Sequence, residues 1–147
     1  MSDYSILLGQ DALVARWIAA QMKDASDLTG AVAFGAVRGD HLVGGIAFTE
    51  LRHPDIRVTV AGVGDFGPWM TRRLLKTGFA FAFLDQDCRR ITAMVKRTNK
   101  SSRKLVEKIG FKLEGTHRQA FADGGTLLSY GMVRDECRWL KGIEQDG

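Results

Sequence analysis

A glycine-rich segment in the middle of the chain separates a strand-like pattern from a helix-like pattern, and it constrains the fold more than any other feature. Residues 56–61 alternate apolar and polar side chains, as a strand with one polar face does. Residues 62–67 then read G-x-G-x-x-G, and residues 68–85 carry apolar side chains four positions apart. Pro68 suits a first helical turn, because no N–H is needed there. The pattern predicts a strand, a glycine turn and a helix.

Three interpretations of the glycine turn are open from its local sequence. G-x-G-x-x-G after a strand is the fingerprint of a dinucleotide site. However, only about 80 residues follow it, too few for a doubly wound sheet, and Lys96 and Arg97 stand where an acidic residue would end the next strand. The turn is alternatively structural, with a β-bulge at residues 62–64. The third interpretation is a turn whose backbone N–H groups bind the pyrophosphate of another cofactor.

The remaining periodicities predict an alternation of helices and short strands. Expected helices are residues 11–22 and 101–109, the latter with Ser101 or Ser102 as its N-cap and Gly110 at its end. Expected strands are residues 31–38, 42–51, 56–61, 90–95, 111–122 and 126–134. This order predicts a single α/β domain over residues 1–147, with helices on the faces of a mixed sheet.

Composition narrows the class of protein and its partners. The 147 residues are 45% hydrophobic, and two cysteines do not make a disulfide framework. No apolar stretch is long enough for a membrane and residues 1–10 lack a secretion signal, so we expect a cytoplasmic protein without a membrane partner. The three histidines show no metal-ligand spacing with the cysteines.

The net charge of +4 is concentrated in one run. The run consists of Lys96, Arg97, Lys100, Arg103 and Lys104. Such a run is either a solvated face or a site for an anionic partner. No aromatic residue interleaves with these charges, so a polyanionic cofactor is expected rather than a nucleic acid.

Residues 98–115 carry the most specific motif of the chain. The motif residues are Asn99, Ser102, Gly110, Phe111, Glu114 and Gly115. An Asn, a Ser three positions on, a short helix, then Gly-Phe and Glu-Gly resemble the GNAT superfamily of N-acetyltransferases. Arg118 and Tyr130-Gly131-Met132 are similar to its ribosomal-protein N-terminal acetyltransferase branch and to small phage-borne acetyltransferases. The resemblance covers residues 31–140 in element order and residues 90–118 in motif.

The resemblance implies a GNAT-like mixed, mostly antiparallel sheet that splays between its fourth and fifth strands. Here those strands are residues 56–64 and 90–95, and the gap would admit the pantetheine arm of acetyl-CoA, the expected co-substrate. The pyrophosphate would rest on the N-terminus of the helix at residues 68–85. Residues expected to hold acetyl-CoA are Val60, Gly62, Val63, Gly64, Trp69, Met70, Thr71, Arg72, Asn99 and Arg103.

The phosphate segment departs from the family pattern. Family members carry Arg or Gln, two residues, Gly, one residue, then Gly or Ala, and the matching positions here are Phe66, Trp69 and Thr71. The glycines lie upstream instead. Backbone N–H groups still suit phosphate, because they need geometry rather than a particular side chain. Arg72 and Arg73 would replace part of the missing contact.

Acetyl transfer requires a neutral amine, an oxyanion donor and a proton for the CoA thiolate. Backbone N–H groups of residues 62–64 are the expected oxyanion donors. A carboxylate near the split would act as base through a water, either at the end of the third strand or at Asp65. The Tyr that many family members use as acid is replaced by Val106, so another hydroxyl supplies the proton or CoA leaves as the thiolate. Candidate catalytic residues are Glu50 as base and Ser102 or Tyr130 as acid.

The acceptor is expected to be a primary amine, on a protein N-terminus, a lysine, a polyamine or a drug. Its groove is predicted between the first helix and the last hairpin, at Phe121 and Gly124-Gly125. A second function stays open, a non-catalytic CoA- or nucleotide-binding module of the same fold, which Trp69 and Val106 favour. The sequence also leaves open whether the chain forms a homodimer.

Overall fold

Residues 3–22, 27–64 and 67–141, which a computed structural model describes, form a seven-stranded sheet with three α-helices. The strands are β1 (Tyr4–Leu7), β2 (Val32–Arg38), β3 (His41–Arg52), β4 (Asp55–Gly62), β5 (Arg90–Lys96), β6 (Lys112–His117) and β7 (Leu127–Val133). The helices are α1 (Asp11–Gln21), α2 (Arg72–Ala80) and α3 (Lys100–Ile109). A π-helical turn (Phe81–Asp85) follows α2, and two 3-10 turns (Arg134–Glu136 and Arg138–Leu140) follow β7.

The strand order is β1-β2-β3-β4-β5-β7-β6, and every neighbouring pair is antiparallel except β4 and β5. That one parallel pair needs a crossover, which α2 provides. The predicted mixed, mostly antiparallel fold with helices on the sheet is therefore confirmed.

Alternating side chains along the strands build a core on each side of the sheet. On one side, α1 packs Val14 and Ile18 against small residues such as Ala47. On the other side, a larger core that includes Phe48 and Phe79 lies under α2 and α3. We call these sides the α1 face and the α3 face.

The structure differs from the sequence prediction at two element starts. β1 was not predicted, because a run of four residues is too short to establish an alternating pattern. The helix after the glycine turn begins at Arg72 rather than Pro68, because Thr71 is its N-cap and accepts the Leu74 N–H at 3.1 Å. Pro68 lies in the turn that precedes this cap.

The last hairpin has a longer connection than predicted. β6 ends at His117, because the chain turns at residues 118–119, where Gln119 has a positive φ of 59°. The loop from residue 118 to residue 126 then returns to β7. It carries Phe121 and Asp123, which contact Lys96 at the end of β5.

Candidate active site

β4 and β5 pair over a short distance only, and this opens the sheet. The parallel register joins Asp55 to Arg90, Ile56 to Ile91 and Arg57 to Thr92. Beyond it, residues 58–62 stay paired with β3 and residues 93–96 stay paired with β7, but the two stretches do not pair with each other. The strands diverge at the place predicted from the sequence.

The inner edge of β4 turns backbone hydrogen-bonding groups toward this gap. In an antiparallel pair, residues alternate between those bonded to the partner strand and those pointing away. The Val63 N–H donates to the Val43 carbonyl at 2.9 Å, so the odd-numbered residues of β4 bind β3. The N–H and C=O groups of Val60 and Gly62 therefore face the gap. They suit an extended ligand that adds to the strand edge.

A cleft of about 580 Å³ runs through the gap. Asn99, Ser102 and Val106 line it on the α3 face, whereas Met22, Met94 and the tip of the β6–β7 loop line it on the α1 face. A smaller cavity of about 260 Å³ shares Val60, Asn99 and Ser102 with the cleft and extends it past the end of β4. The volume and the mostly apolar lining of the cleft are those of a small-molecule site.

The N-terminus of α3 points at the cleft. Asn99 is the N-cap, and its Oδ1 accepts the Ser102 N–H at 3.1 Å. The expectation that a serine caps this helix was wrong, because the residue before the first turn has the better position to accept that N–H. The helix dipole makes this end favourable for an anion. The Ser102 side chain lies on the cleft wall, next to Val106 on the following turn.

Tyr130 lies behind the cleft rather than in it. Its side chain is 1% exposed, and its hydroxyl donates to Glu107 Oε2 at 3.0 Å while accepting from Arg103 Nε at 3.3 Å. The hydrogen bond to Tyr130 raises the pKa of Arg103, whose Nη1 also donates to the Arg97 carbonyl. The structure thus makes Tyr130 an anchor for Arg103, and its buried proton is already committed to Glu107.

Glu50, the predicted base, lies at the other end of the split. β3 runs antiparallel to β4, so the end of β3 lies beside the start of β4, where β4 and β5 are still paired. The Glu50 carboxylate there binds the Arg57 guanidinium at 2.8 Å. The structure does not bring Glu50 to the cleft. Asp65 and Phe66, which the prediction also named, lie outside the described residues.

Trp69 fills the space that the glycines leave on the α3 face. A Cβ at Gly44, Gly62 or Gly67 would lie between 1.9 and 2.2 Å from the nearest atom of its indole. The indole N–H donates to the Val63 carbonyl at 3.1 Å, and the side chain is 1% exposed. Trp69 was predicted to contact acetyl-CoA, but this burial gives it a packing role beneath the turn.

The other predicted residues of this segment are placed in different ways. Gly64, with a φ of 77°, lines the smaller cavity together with Gly62. Val63 and Arg72 are exposed, and Met70 is half-buried. Thr71 is occupied as the cap of α2. Phosphate binding at the N-terminus of α2 stays a prediction.

Lys96 at the end of β5 and two residues of the last hairpin, Phe121 and Asp123, close the α1 face of the cleft. Lys96 Nζ lies 2.5 Å from Asp123 Oδ2 and 4.9 Å from the centroid of the Phe121 ring. The pKa of Asp123 is lowered, first by the Lys96 hydrogen bond and then by the Gly125 N–H. Sequence reasoning named Phe121 but missed the pair. The β5–β7 register, which sets Lys96 beside Leu127, is the signal that reveals it.

Two absences hold within the described residues. They contain no group of three or more His, Cys, Asp or Glu side chains placed to hold a metal ion. Residues 3–22, 27–64 and 67–141 also include no helix with the length and apolar composition of a membrane span.

Three solved structures illustrate what this fold is similar to. A GNAT-family acetyltransferase from Bacillus anthracis matches with a TM-score of 0.59 and 19% identity, over 71% of this chain and 67% of that one. Ribosomal-protein-S5-alanine acetyltransferase from Vibrio fischeri matches with 0.67 and 15%, over 94% and 97%. A spermidine/spermine N-acetyltransferase from Vibrio cholerae matches with 0.67 and 13%, over 98% and 97%.

At these low sequence identities, the similarities show the fold alone. No protein-family model matches the chain, and no curated protein sequence does. The mixed seven-stranded sheet with its helices has the fold of these GNAT acetyltransferases.

Proposed function

We propose that this chain, which has the fold of the GNAT acetyltransferases, transfers an acetyl group from acetyl-CoA to a primary amine. The observation that carries the proposal is the inner edge of β4, where Val60 and Gly62 turn their backbone groups toward an open gap. The pantetheine arm of CoA is an extended chain with two amides. It would bind this edge as an added strand binds a sheet.

The helix end at the smaller cavity supports a phosphate-bearing co-substrate. The N-terminus of α3 is directed there through Asn99 and Ser102. Arg103 lies one position further along the helix and is held by Tyr130. A helix N-terminus and fixed guanidinium groups both favour anions. Arg72 is exposed at the start of α2, where it would add a second guanidinium for the phosphates.

The proposed acetyl transfer needs few side chains. The neutral amine nitrogen attacks the acetyl carbon, the new C–N bond forms, the C–S bond breaks, and the amine proton passes to water. An inner-edge N–H of β4 would donate to the developing oxyanion. Ser102 is the hydroxyl on the α3 wall that would donate to the departing thiolate, since Val106 has no proton to offer.

Val60 offers a direct test with a matched control. Val60→Pro removes an N–H that faces the gap and therefore no rung of the β3–β4 ladder, whereas Val60→Ala keeps that N–H. We expect Val60→Pro to lower kcat/KM for acetyl-CoA by about tenfold, the effect of one hydrogen bond. Val60→Ala should stay close to the parent. Thiol release with a panel of amines measures both.

Two outcomes would change the proposal. Equal kcat/KM in Val60→Pro and Val60→Ala would show that the β4 edge does not hold the co-substrate. Thermal stabilisation by acetyl-CoA without thiol release for any amine would favour the non-catalytic CoA-binding module, which the valine at position 106 suits.

A further inference from the structure

We propose that the Lys96–Asp123 pair selects the acceptor, so that the cleft takes a single amine on an apolar body and rejects polyamines. This inference rests on the proposed function and adds the class of acceptor to it. It is carried by the geometry of the last hairpin, by the charge of the cleft and by the apolar lining of the α1 face.

Both oxygens of the Asp123 carboxylate are already bound. Oδ2 accepts from Lys96 Nζ at 2.5 Å, and Oδ1 accepts from the Gly125 N–H at 2.8 Å. The Lys96 side chain is 19% exposed, so the ammonium is held against the hairpin rather than extended into water. Gly125 permits this approach, because a Cβ there would lie 2.8 Å from both Lys96 Cε and Asp123 Oδ1.

The pair leaves the cleft without an unpaired carboxylate for a second ammonium. Among the described residues that line the cleft and its extension, Asp123 is the only carboxylate. A polyamine brings at least one further ammonium besides the nitrogen that is acetylated. Removing that ammonium from water without a carboxylate partner is costly. Lys96 also repels it, because like charges at short range disfavour each other.

The rest of the α1 face suits an apolar body. Met22, Met94, Phe121 and Leu127 line it. The Phe121 ring is held beneath the Lys96 ammonium, an attractive cation–π geometry. Methionine side chains pack well against aromatic rings. An amine on an aryl or alkyl group would therefore bury its body here while its nitrogen reaches the gap.

The test compares 2-phenylethylamine with spermidine at saturating acetyl-CoA, following thiol release and product mass. We expect the parent protein to favour 2-phenylethylamine in kcat/KM. Lys96→Met frees the Asp123 carboxylate and should raise kcat/KM for spermidine about fivefold, the size of effect that a partly exposed ion pair produces. The matched variant Asp123→Asn removes the negative charge that faces Lys96 and should lower kcat/KM for spermidine. Lys96→Met with Asp123→Asn should restore the parent preference.

The outcomes separate this inference from the proposed function. Spermidine turnover equal to or above that of 2-phenylethylamine in the parent, or a preference unchanged in both single variants, would overturn the inference. Thermal stabilisation by acetyl-CoA with no turnover of either amine would overturn the acceptor class while the donor site stands. No stabilisation by acetyl-CoA would overturn the proposed function itself. Melting temperatures of the variants exclude unfolding as the cause.

Discussion

The two ends of the split differ in what joins the strands. At the closed end, Arg90 reaches Asp55 at 3.4 Å and Glu114 at 2.5 Å, and the Thr92 hydroxyl donates to Asp55 at 2.8 Å. At the open end, backbone groups of Val60 face a gap with mostly apolar walls. The closed end is therefore joined by backbone pairing and by side chains, whereas the β4 backbone at the open end does not pair with β5 and can bind a ligand.

The largest expected effect is a loss of stability at the open end, where Trp69 packs beneath the strands. Trp69→Ala removes the indole that packs on bare glycines and holds the Val63 carbonyl. We expect the free energy of unfolding to fall by about 3–5 kcal/mol, as for other buried aromatics, measured by urea denaturation. Trp17→Ala, at a half-buried site on α1, should cost clearly less. Equal losses would show that Trp69 is not the support of this end.

Breaking the side-chain network of the closed end should lower the free energy of unfolding by a smaller amount. Arg90→Met removes the guanidinium and should lower the free energy of unfolding by about 1 kcal/mol, since these side chains are partly exposed. Gly131→Ala should act on the same pair, because a Cβ there would lie 2.2 Å from Glu114 Oε1 and 2.5 Å from Arg90 Nη2.

A double-mutant cycle decides whether these two changes share a target. The Arg90–Glu114 ion pair can span β7 only if residue 131 has no side chain. If that is the role of Gly131, Gly131→Ala should lower the free energy of unfolding only slightly in the Arg90→Met background. Fully additive losses would mean that Gly131 is needed for another reason.

A smaller effect is expected at the back wall of the cleft. Tyr130→Phe removes the acceptor for Arg103 Nε and the donor to Glu107. We expect KM for acetyl-CoA to rise about fivefold with kcat nearly unchanged, because a positioning hydrogen bond is lost. A drop in kcat of about 10²-fold instead would make Tyr130 the general acid and contradict its placement.

The smallest effect concerns the pH dependence of the hairpin. The pKa of Asp123 lies below its ordinary value of 3.8, chiefly because of Lys96. The pair therefore contributes its full stabilisation above that ordinary value and loses it as the pH falls through the lowered pKa. Carboxyl NMR titration should show the pKa of Asp123 rising in Lys96→Met. The pKa of Asp27, lowered by Thr29, should not move. An unmoved Asp123 would contradict the pairing.

The sequence predicted those features that depend on neighbouring residues. The motif from Asn99 to Gly115 predicted α3 and the start of β6, and the glycine segment predicted the end of β4. Both signals are local, because caps, turns and alternation act within a few residues. The position of the split followed from the resemblance that this motif carries.

Features that depend on distant pairing could not be predicted. The burial of Trp69 requires Gly44, which only the β3–β4 register sets beside Gly62. Glu50 lies near the end of β3, but the antiparallel direction of β3 puts that end away from the cleft. Lys96 and Asp123 are distant in sequence and meet through the β5–β7 register. In each case tertiary geometry decided the role of a residue whose local sequence was uninformative.

Amide hydrogen exchange along β4 measures whether CoA binds the inner edge of this strand. Thr59 and Ala61 donate to β3 and should be protected in the free protein, whereas Val60 and Gly62 face the gap and should exchange faster. We expect that adding CoA slows exchange at Val60 or Gly62 and leaves Thr59 and Ala61 unchanged. Exchange at Val60 and Gly62 that stays the same in saturating CoA would contradict it.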